Sequence, residues 1–340
     1  MNVLLTSVGR RSYLIDYFRN ALTGSEEVLA ANSLTDVPGM FHADHAFTVT
    51  PFCEPGYVDE IIAICRQYQV GLLCSCHDLD SVVLASCHEV LQKEGVLAVV
   101  PDPDWARICL DKLECGILLQ RNGFSVPWSG VVLQDVLNAV ERSEIGFPLI
   151  VKYRYGYGSA GVMVCSDPAE LEWSYRYAVS RQANTLTNRF IGATAETSVL
   201  VQEYIRGEEM RIVLVNDLEG CYYTHFITRI HAMRAGESDI ATTLDPAELG
   251  DLPQRLSMLT RHVGVWGIDL RKDGDQMKII DINPRFSGDY PFHHIAGADV
   301  PAILVAWMRG EVPDPVWGRS LIGVSGYKDM LPTIVPYTMS

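Results

Sequence analysis

The chain has 340 residues, 48% of them hydrophobic and 20% charged, which is typical of a globular protein with two or three domains. Its 27 Lys and Arg against 42 Asp and Glu give a formal net charge of −15, which argues against a nucleic-acid-binding surface. The sequence has no run of about 20 apolar residues and no signal-peptide pattern. We therefore expect no membrane partner and a cytoplasmic location.

The first third of the chain alternates strand-like and helix-like segments. Residues 2–8, "VLAANS" and "GLLCSC" are apolar runs typical of buried strands, whereas residues 11–22 and "VDEIIAICRQYQV" carry apolar residues at helical spacing. This alternation predicts a parallel sheet, whose functional edge lies at the carboxyl ends of its strands.

Two features of this region are open to more than one interpretation. The turn "SVGRRS" after the first strand lacks GxGxxG, so it is either a plain turn with solvated arginines or a place where Arg10 or Arg11 meets an anionic substrate. The cluster from Cys74 to His88 lacks the short ligand gaps of zinc sites, and we expect it to pack at a strand end. The nine scattered cysteines are typical of reduced thiols.

Prolines in "VVPDPDW" mark a boundary near residues 100–110, and a helix is predicted after Asp104. A second unit, reaching to about residue 305, begins with a strand, a glycine-rich loop and a strand in "FPLIVKYRYGYGSAGVMVC". A helix is predicted over residues 168–182, followed by a polar loop over residues 181–198.

The rest of the second unit is rich in strand patterns. The segment "VLVQEYIRGEEMRIVLVND" predicts a strand, a turn and a strand, and "CYYTHFITRIHAMRAGES" predicts one more strand followed by an arginine-rich loop. The segment from Pro253 to Arg285 predicts a helix, a strand, a DG turn and a strand. Residues after 310 form a short Pro/Gly-rich segment.

The DG turn lies between two strands that carry acidic and amide side chains near their ends. Asp269 and Asp281 end the two strands on either side of it, so antiparallel pairing places the carboxylates side by side. Asn283 shares a strand face with Asp281. Two carboxylates and an amide oxygen suit Mg²⁺, with substrate phosphates and waters as further ligands. The plainer interpretation is a pair of solvated strand-end acids.

Two further segments suit a nucleotide. Lys152 ends a strand before a glycine-rich turn, where backbone N–H groups can approach phosphates, although a plain hairpin remains the alternative. The segment after Gln202 offers backbone groups to adenine, and Glu209 offers a carboxylate to ribose.

The order of "LDK", "IVKYRYGYGSAGV", "VQEYIRGEE", "RIHAMRAGES", "GIDL" and "DINPRFSG" resembles the ATP-grasp superfamily. Within it, the chain is similar to the synthetase domains of carbamoyl-phosphate synthase large subunits. The resemblance implies α/β plus α+β architecture: a Rossmann-like pre-ATP-grasp domain over residues 1–108 and a two-lobed ATP-grasp domain over 109–310. The flap lobe covers about 109–200, the metal and substrate lobe about 201–310, and a short segment covers 311–340.

The resemblance also implies roles for individual residues. Lys112 and Lys152 are expected to contact the phosphates. The flap over the phosphates is expected to consist of Gly158, Ser159, Ala160 and Gly161. Adenine contacts are assigned to Gln202, Glu203 and Ile205, and ribose to Glu209. One or two Mg²⁺ ions, with Mn²⁺ as a substitute, are assigned to Asp269, Asp281 and Asn283. Arg285 is assigned to the transferring phosphoryl group or to the acyl phosphate, and Arg229 and Arg234 are assigned to the acceptor side. Tyr153 departs from the family, which often has Pro there, so flap mobility is expected to differ.

The expected activity is an ATP-dependent carboxylate–amine ligase that works through an acyl phosphate. Its substrates would be a small carboxylic acid and an amine, with amino acids among the candidates, and its assembly a homodimer. The alternatives are a small-acid kinase, carboxyphosphate chemistry of the carbamoyl-phosphate synthase kind, and a non-catalytic nucleotide-binding module. The chain has room for one synthetase half, so complete carbamoyl-phosphate synthesis is not expected. His293 and His294 are expected to pack within a helix.

Overall fold

The structure, a computed structural model, describes residues 1–156, 158–182, 186–195, 197–234 and 236–330. Residues 183–185 and 196 of the predicted polar loop, and residues 331–340 of the predicted C-terminal segment, lie outside this description. Within the described residues, the strands form three sheets of five, four and six strands.

The first sheet contains β1 (Asn2–Thr6), β2 (Val28–Asn32), β3 (His45–Thr48), β4 (Val70–Ser75) and β5 (Leu97–Val99). All pairings are parallel, in the order β3-β2-β1-β4-β5. The helices around it are α1 (Ser12–Ala21), α2 (Pro38–His42), α3 (Tyr57–Gln67), α4 (Asp78–Ser86) and α5 (His88–Lys93). The predicted parallel sheet is confirmed, and β2 and β4 are buried along their whole length because both faces of the sheet are covered.

Two helices lead from the first sheet to the second, α6 (Pro103–Leu110) and α7 (Lys112–Arg121). Asp102 caps α6 and Asp111 caps α7, each accepting hydrogen bonds from the first free backbone N–H groups of its helix. The α7 cap matters for the site, because it fixes Lys112 as the first residue of that helix.

The second sheet contains β6 (Ser129–Gly130), β7 (Leu149–Tyr153), β8 (Met163–Cys165) and β9 (Val199–Glu203), paired antiparallel in the order β6-β9-β7-β8. The accompanying helices are α8 (Leu133–Glu141), α9 (Pro168–Gln182) and α10 (Leu186–Ile191). The helix over residues 168–182 was predicted. The polar loop over residues 181–198 was predicted wrongly in part, since α10 lies within it.

The third sheet contains β10 (Glu208–Asn216), β11 (Tyr222–Arg234), β12 (Glu237–Thr243), β13 (Gly264–Asp273), β14 (Gln276–Asn283) and β15 (Ser325–Tyr327). Its order is β14-β13-β10-β11-β12-β15, and all pairings are antiparallel. Helices α11 (Leu252–Thr260), α12 (Tyr290–Ile295) and α13 (Val300–Met308) pack on it. The predicted arginine-rich loop is wrong: residues 229–234 are strand, because their backbone pairs with β12.

The first and third sheets share one hydrophobic core, in which Leu5 of β1 packs with Val213 of β10 and Leu304 of α13. The second sheet has a core of its own, which includes Val151 of β7 and Leu171 of α9. The core of the second sheet is therefore separate from the core that the first and third sheets share. In the described part of the chain, no helix combines the length and apolar character needed to cross a membrane.

Candidate active site

The three sheets meet around a cavity of about 450 Å³. The first sheet contributes its carboxyl edge, the second contributes the β7–β8 turn and the exit of β9, and the third contributes faces of β10, β13 and β14. The sequence-predicted residues that line the cavity are Lys112, Lys152, Gly158, Ser159, Ala160, Gln202, Glu203, Ile205, Glu209, Asp269, Asp281, Asn283 and Arg285.

Asp269 and Asp281 are directly opposite each other in the β13–β14 ladder, as the DG turn predicted. Asp281 accepts hydrogen bonds from Lys112 Nζ at 2.8 and 2.7 Å. Asp269 Oδ1 is buried with no hydrogen-bond partner among the described residues, although Arg211 Nε lies 3.3 Å away as an ion-pair partner. Burial raises the pKa of Asp269 to about 6, with Arg211 opposing and Asp281 adding to the rise.

These residues fit a hard divalent cation. Asp269 Oδ1 is an unsatisfied carboxylate oxygen, Asp281 lies beside it, and Asn283 adds an amide oxygen in the same cavity. Oxygen donors of this kind suit Mg²⁺. Among the described residues no group of three or more His, Cys, Asp or Glu could hold a metal. A cation here would therefore take its remaining ligands from phosphate oxygens and water.

The two predicted lysines approach the cavity from different elements. Lys112 begins α7, and Lys152 lies near the end of β7 with its Nζ 2.8 Å from Gln202 Oε1. Burial, and then the like charge of Lys112, lowers the pKa of Lys152 to about 8. For Lys112 burial acts in the same direction, but Asp281 outweighs it and the pKa is raised. The cavity thus holds two ammonium groups of unequal acidity.

The exit of β9 and the start of β10 form the part of the cavity predicted for adenine and ribose. Ile205 is buried and supplies an apolar wall, while Glu203 forms an ion pair with Lys278 at 2.9 Å. Glu209 forms an ion pair with Arg271 at 2.7 Å. Arg211 follows two residues later on the same strand face and lies 3.7 Å from Glu209. Charged side chains in this part of the cavity therefore surround the apolar side chain of Ile205.

The turn between β7 and β8 covers the cavity. Gly158 has a φ of +61°, and its backbone lies so close to Gly236 that a Cβ on Gly236 would be 2.4 Å from the Gly158 carbonyl carbon. Gly161 has a φ of +72°, and a Cβ there would lie 2.6 Å from the Tyr153 ring. The Tyr153 ring therefore packs against the turn at Gly161, and only glycine leaves room for the ring at that position.

Arg285 is held from both sides. Its Nη2 donates to Asp78 Oδ2 and Asn283 Oδ1, each at 3.1 Å, and its Nη1 donates to the carbonyl of Phe286 at 2.8 Å. Arg11, from the loop after β1, donates to the same Phe286 carbonyl at 2.7 Å. The first sheet thereby fixes the residues that follow β14.

Some predicted residues are not brought to the cavity. Among the described residues, its lining excludes Gly161, Arg229 and Arg234. Arg229 forms an ion pair with Glu208 at 3.1 Å, and Arg234 forms one with Asp239 at 2.5 Å. The acceptor-side role of the two arginines stays a prediction.

The sequence reasoning overlooked several residues that line the cavity or its edge. Arg211 could have been found, since it lies two positions after Glu209 on one strand and so shares its face. Glu237 lies within the quoted segment "RIHAMRAGES", and His77 and Asp78 follow the strand end of β4, but no role was assigned to these three residues.

The two histidines after the predicted motif pack as expected. His293 is fully buried and stacks on Phe226, and His294 stacks on Tyr17 with ring centroids 3.6 Å apart. Cys74 is buried in the core shared by the first and third sheets. Cys76 also belongs to that core and reaches the lining of the cavity.

The fold and the cavity define the class of protein: a parallel-sheet domain followed by two antiparallel sheets, with a polar cavity where the three sheets meet. Residues 3–100 match the family described as "PylC-like, N-terminal domain". Residues 195–329 match the family described as "ATP-grasp in the biosynthetic pathway with Ter operon". The chain therefore contains an ATP-grasp domain, as its motifs predicted.

Similar proteins of known identity are ligases and carboxylases. The carbamoyl phosphate synthase large chain of Myxococcus xanthus is 28% identical over 213 residues, which cover 59% of this chain and 18% of that protein. This chain therefore spans about a fifth of that relative's length. An L-amino acid ligase from Bacillus licheniformis has a TM-score of 0.71 at 18% identity, covering 97% of this chain and 81% of that one.

A third similar structure was solved with a nucleotide and a metal. It is the biotin carboxylase domain dimer of Hydrogenobacter thermophilus 2-oxoglutarate carboxylase, in complex with MgADP, ADP and bicarbonate. Its TM-score is 0.69 at 17% identity, covering 92% of this chain and 70% of that chain. At this identity the likeness establishes the fold, which matches the predicted architecture.

Proposed function

We propose that this chain is an ATP-dependent carboxylate–amine ligase that forms an amide bond through an acyl phosphate and releases ADP and phosphate. The observation that carries the proposal is the convergence of Lys112, Lys152, the Asp269–Asp281 pair and Arg285 on one cavity. Phosphoryl transfer needs positioning and charge neutralisation more than covalent catalysis, and this set supplies both.

The chain's own residues would bind the nucleotide along the cavity. Ile205 and the exit of β9 would take the adenine, and Glu209 would take the ribose. Lys112, Lys152 and the backbone of the β7–β8 turn would contact the phosphates, since ammonium groups and glycine N–H groups suit phosphate oxygens.

The metal would be held by Asp269, Asp281 and Asn283. When bound, Mg²⁺ neutralises phosphate charge and orients the phosphate oxygens. Metal binding to Asp281 would withdraw that carboxylate from Lys112, which leaves the lysine free to turn to a phosphate. Mn²⁺ as a substitute stays a prediction.

The proposed reaction has two steps. An oxygen of the substrate carboxylate attacks the γ-phosphorus of ATP, the bond to the bridging oxygen breaks, and ADP leaves. The amine nitrogen then attacks the acyl carbon, the bond to the phosphate oxygen breaks, inorganic phosphate leaves, and the nitrogen loses a proton. Arg285 would neutralise the acyl phosphate, and the closed turn would exclude water from it.

A second candidate is carboxyphosphate chemistry, in which bicarbonate takes the place of the substrate acid. It is favoured by the relatives, since one similar structure contains bicarbonate and another relative is a carbamoyl phosphate synthase chain. The homodimer and the cytoplasmic location stay predictions; the biotin carboxylase domain named above was solved as a dimer.

The test is a hydroxylamine trap. The protein is incubated with ATP, Mg²⁺, hydroxylamine and a panel of amino acids and small dicarboxylic acids, and hydroxamate and ADP are measured together. Equal amounts of both with one acid are expected. A phosphorylated product that hydroxylamine leaves intact would establish a kinase instead. ADP release that needs bicarbonate but no other acid would favour the second candidate.

A further inference from the structure

Asp78 stands out because one of its carboxylate oxygens has no hydrogen-bond partner among the described residues. The residue is 6% exposed and lines the cavity, and its Oδ2 accepts from Arg285 at 3.1 Å. Its Oδ1 is buried without a hydrogen-bond partner in the described structure. A buried carboxylate oxygen left unsatisfied costs free energy, so such an atom at a cavity wall marks a place for a hydrogen-bond donor.

The surroundings keep Asp78 ionised. Burial alone would raise the pKa of this carboxyl, but the guanidinium groups of Arg285 and Arg11 outweigh burial and hold the pKa below its usual value. Asp78 also opens α4, where the positive end of the helix dipole favours a negative charge. The free oxygen is therefore an acceptor, and it suits an N–H of an amine.

Arg10, a cation with no side-chain partner among the described residues, follows the end of the neighbouring strand β1. Arg10 follows β1, Asp78 follows β4, and these two strands are parallel neighbours with Thr6 opposite Ser75. Arg10 lines the cavity, and within the described residues it has no hydrogen bond or ion pair from its side chain. Both residues follow the carboxyl ends of neighbouring strands and line the same cavity, so an acceptor and a cation face one binding space.

We propose that the amine substrate is an α-amino acid, whose amino group donates to Asp78 Oδ1 and whose carboxylate is bound by Arg10. This inference rests on the proposed function for the role of the amine, because Asp78 touches Arg285, the residue assigned to the acyl phosphate. An amine at Asp78 would lie next to the acyl carbon. After the C–N bond forms and phosphate leaves, the proton of the nitrogen passes to the Asp78 carboxylate or to water.

The competing explanation is that Asp78 serves only to hold Arg285. The two roles differ in which part of a ligand each recognises. If Asp78 only holds Arg285, ligand affinity does not depend on the amino group. If Asp78 contacts the amino group directly, removing that group lowers the affinity. The experiment therefore compares each amino acid with its des-amino acid and with its decarboxylated amine, for example alanine with propionate and ethylamine.

Binding is measured by calorimetry in the presence of MgADP, for the twenty amino acids in both enantiomers and their matched analogues. In the wild type, at least one amino acid is expected to bind tenfold or more tightly than either analogue. Asp78→Asn should remove the preference for the amino acid over its des-amino acid. Arg10→Gln should remove the preference for the amino acid over its decarboxylated amine. Asp59→Asn, which changes an exposed acid in the first turn of α3, is the matched control and should leave both preferences intact.

Two outcomes would overturn the inference. The first is a wild type that binds no α-amino acid better than its analogues. The second is an Asp78→Asn variant that loses affinity equally for the amino acid and the des-amino acid, which would assign Asp78 to Arg285 alone. Arg10→Gln changes an exposed side chain and keeps the test valid if the Asp78 variant does not fold. The calorimetric experiment needs no turnover, so it tests the amino acid subsite independently. The ligase reaction itself is tested by the hydroxylamine trap.

Discussion

Lys112 and Asp281, 169 residues apart in the chain, form an ion pair in which Nζ lies 2.8 and 2.7 Å from the two carboxylate oxygens. Their side chains are only 11% and 20% exposed. The lysine assigned to phosphate and the acid assigned to the metal therefore neutralise each other when neither ligand is present. This arrangement lets the site keep both charges in a buried position before it binds a nucleotide.

The first prediction concerns this ion pair. Asp281→Asn should lower the free energy of unfolding by about 3 kcal/mol, because it leaves the Lys112 ammonium buried and unpaired. It should also lower Mg²⁺-dependent ADP formation at least about a hundredfold. Lys112→Met added to Asp281→Asn should restore stability but not turnover, as measured by urea unfolding and a coupled ADP assay.

The control for the first prediction is Glu94→Gln, which breaks the ion pair between Glu94 and Arg66 on the surface. Its effect on stability should be much smaller than that of Asp281→Asn, because solvent screens an exposed ion pair. Full Mg²⁺-dependent turnover by Asp281→Asn would remove this residue from the metal site.

The second prediction concerns Lys152, whose pKa is lowered by burial to about 8. The ammonium is present below that pH and lost above it, so affinity for an ATP analogue should fall about tenfold or more between pH 7.5 and 9.5. Lys152→Met should weaken binding at least about tenfold at pH 7.5 and flatten the pH dependence. Calorimetry with a non-hydrolysable analogue measures both, and Lys93→Met, an exposed change on α5, is the control. An unchanged pH profile in Lys152→Met would contradict the assignment.

The third prediction concerns the turn that covers the cavity. Gly161→Ala should weaken ATP binding about tenfold, because the new methyl group meets the Tyr153 ring and the residue must keep a positive φ. Gly95→Ala controls for the backbone strain alone, since Gly95 has a φ of +77° and no atom near its Cβ position. Tyr153→Ala in the Gly161→Ala background should recover part of the loss. Equal effects of the two glycine changes would show that the ring contact is irrelevant.

The fourth prediction concerns acid stability. His262 is fully buried and stacks on Trp266 with ring centroids 5.1 Å apart, and burial lowers its pKa to about 3. Between pH 6.5 and 3 the unfolded chain binds the extra proton, so the free energy of unfolding falls as pH falls, by up to about 1.4 kcal/mol per pH unit for this group. His262→Gln should make the fall from pH 7 to 5 less steep.

The matched control for the fourth prediction is His231→Gln, since His231 is exposed on β11. Urea unfolding at several pH values measures each slope. His293, whose pKa is lowered to about 4 by burial, keeps part of the acid sensitivity in either variant. An unaltered slope in His262→Gln would mean that another group controls the acid limit.

The sequence predicted those parts of the fold whose signals are local. The parallel first sheet followed from alternating strand and helix patterns, and the pairing of Asp269 with Asp281 followed from a DG turn between them. It missed β3, whose four residues are alternately half-buried and exposed, and it missed β15. It placed an arginine-rich loop at residues 229–234, whereas pairing with β12 holds these residues extended.

The site was predictable where a family motif exists and unpredictable where distant segments meet. The motifs placed Lys152 and Asn283 at the cavity, and the structure agrees. The partners of the motif residues are another matter: Asp78 is 207 residues from Arg285, and Lys112 is 169 from Asp281. Only tertiary packing brings such pairs together, and no local sequence pattern predicts their contact.

The separate core of the second sheet has a mechanical consequence. Side chains such as Val151 and Leu171 pack only among themselves, while Leu5 and Val213 unite the first and third sheets. The molecule is thus one large body and one small body, which contact each other at Gly158 and Gly236 and through the Glu203–Lys278 ion pair, among other places. Amide hydrogens of β7 and β9 should exchange with solvent as one group and sooner than those of β1 and β10, because the small body can open without melting the large one.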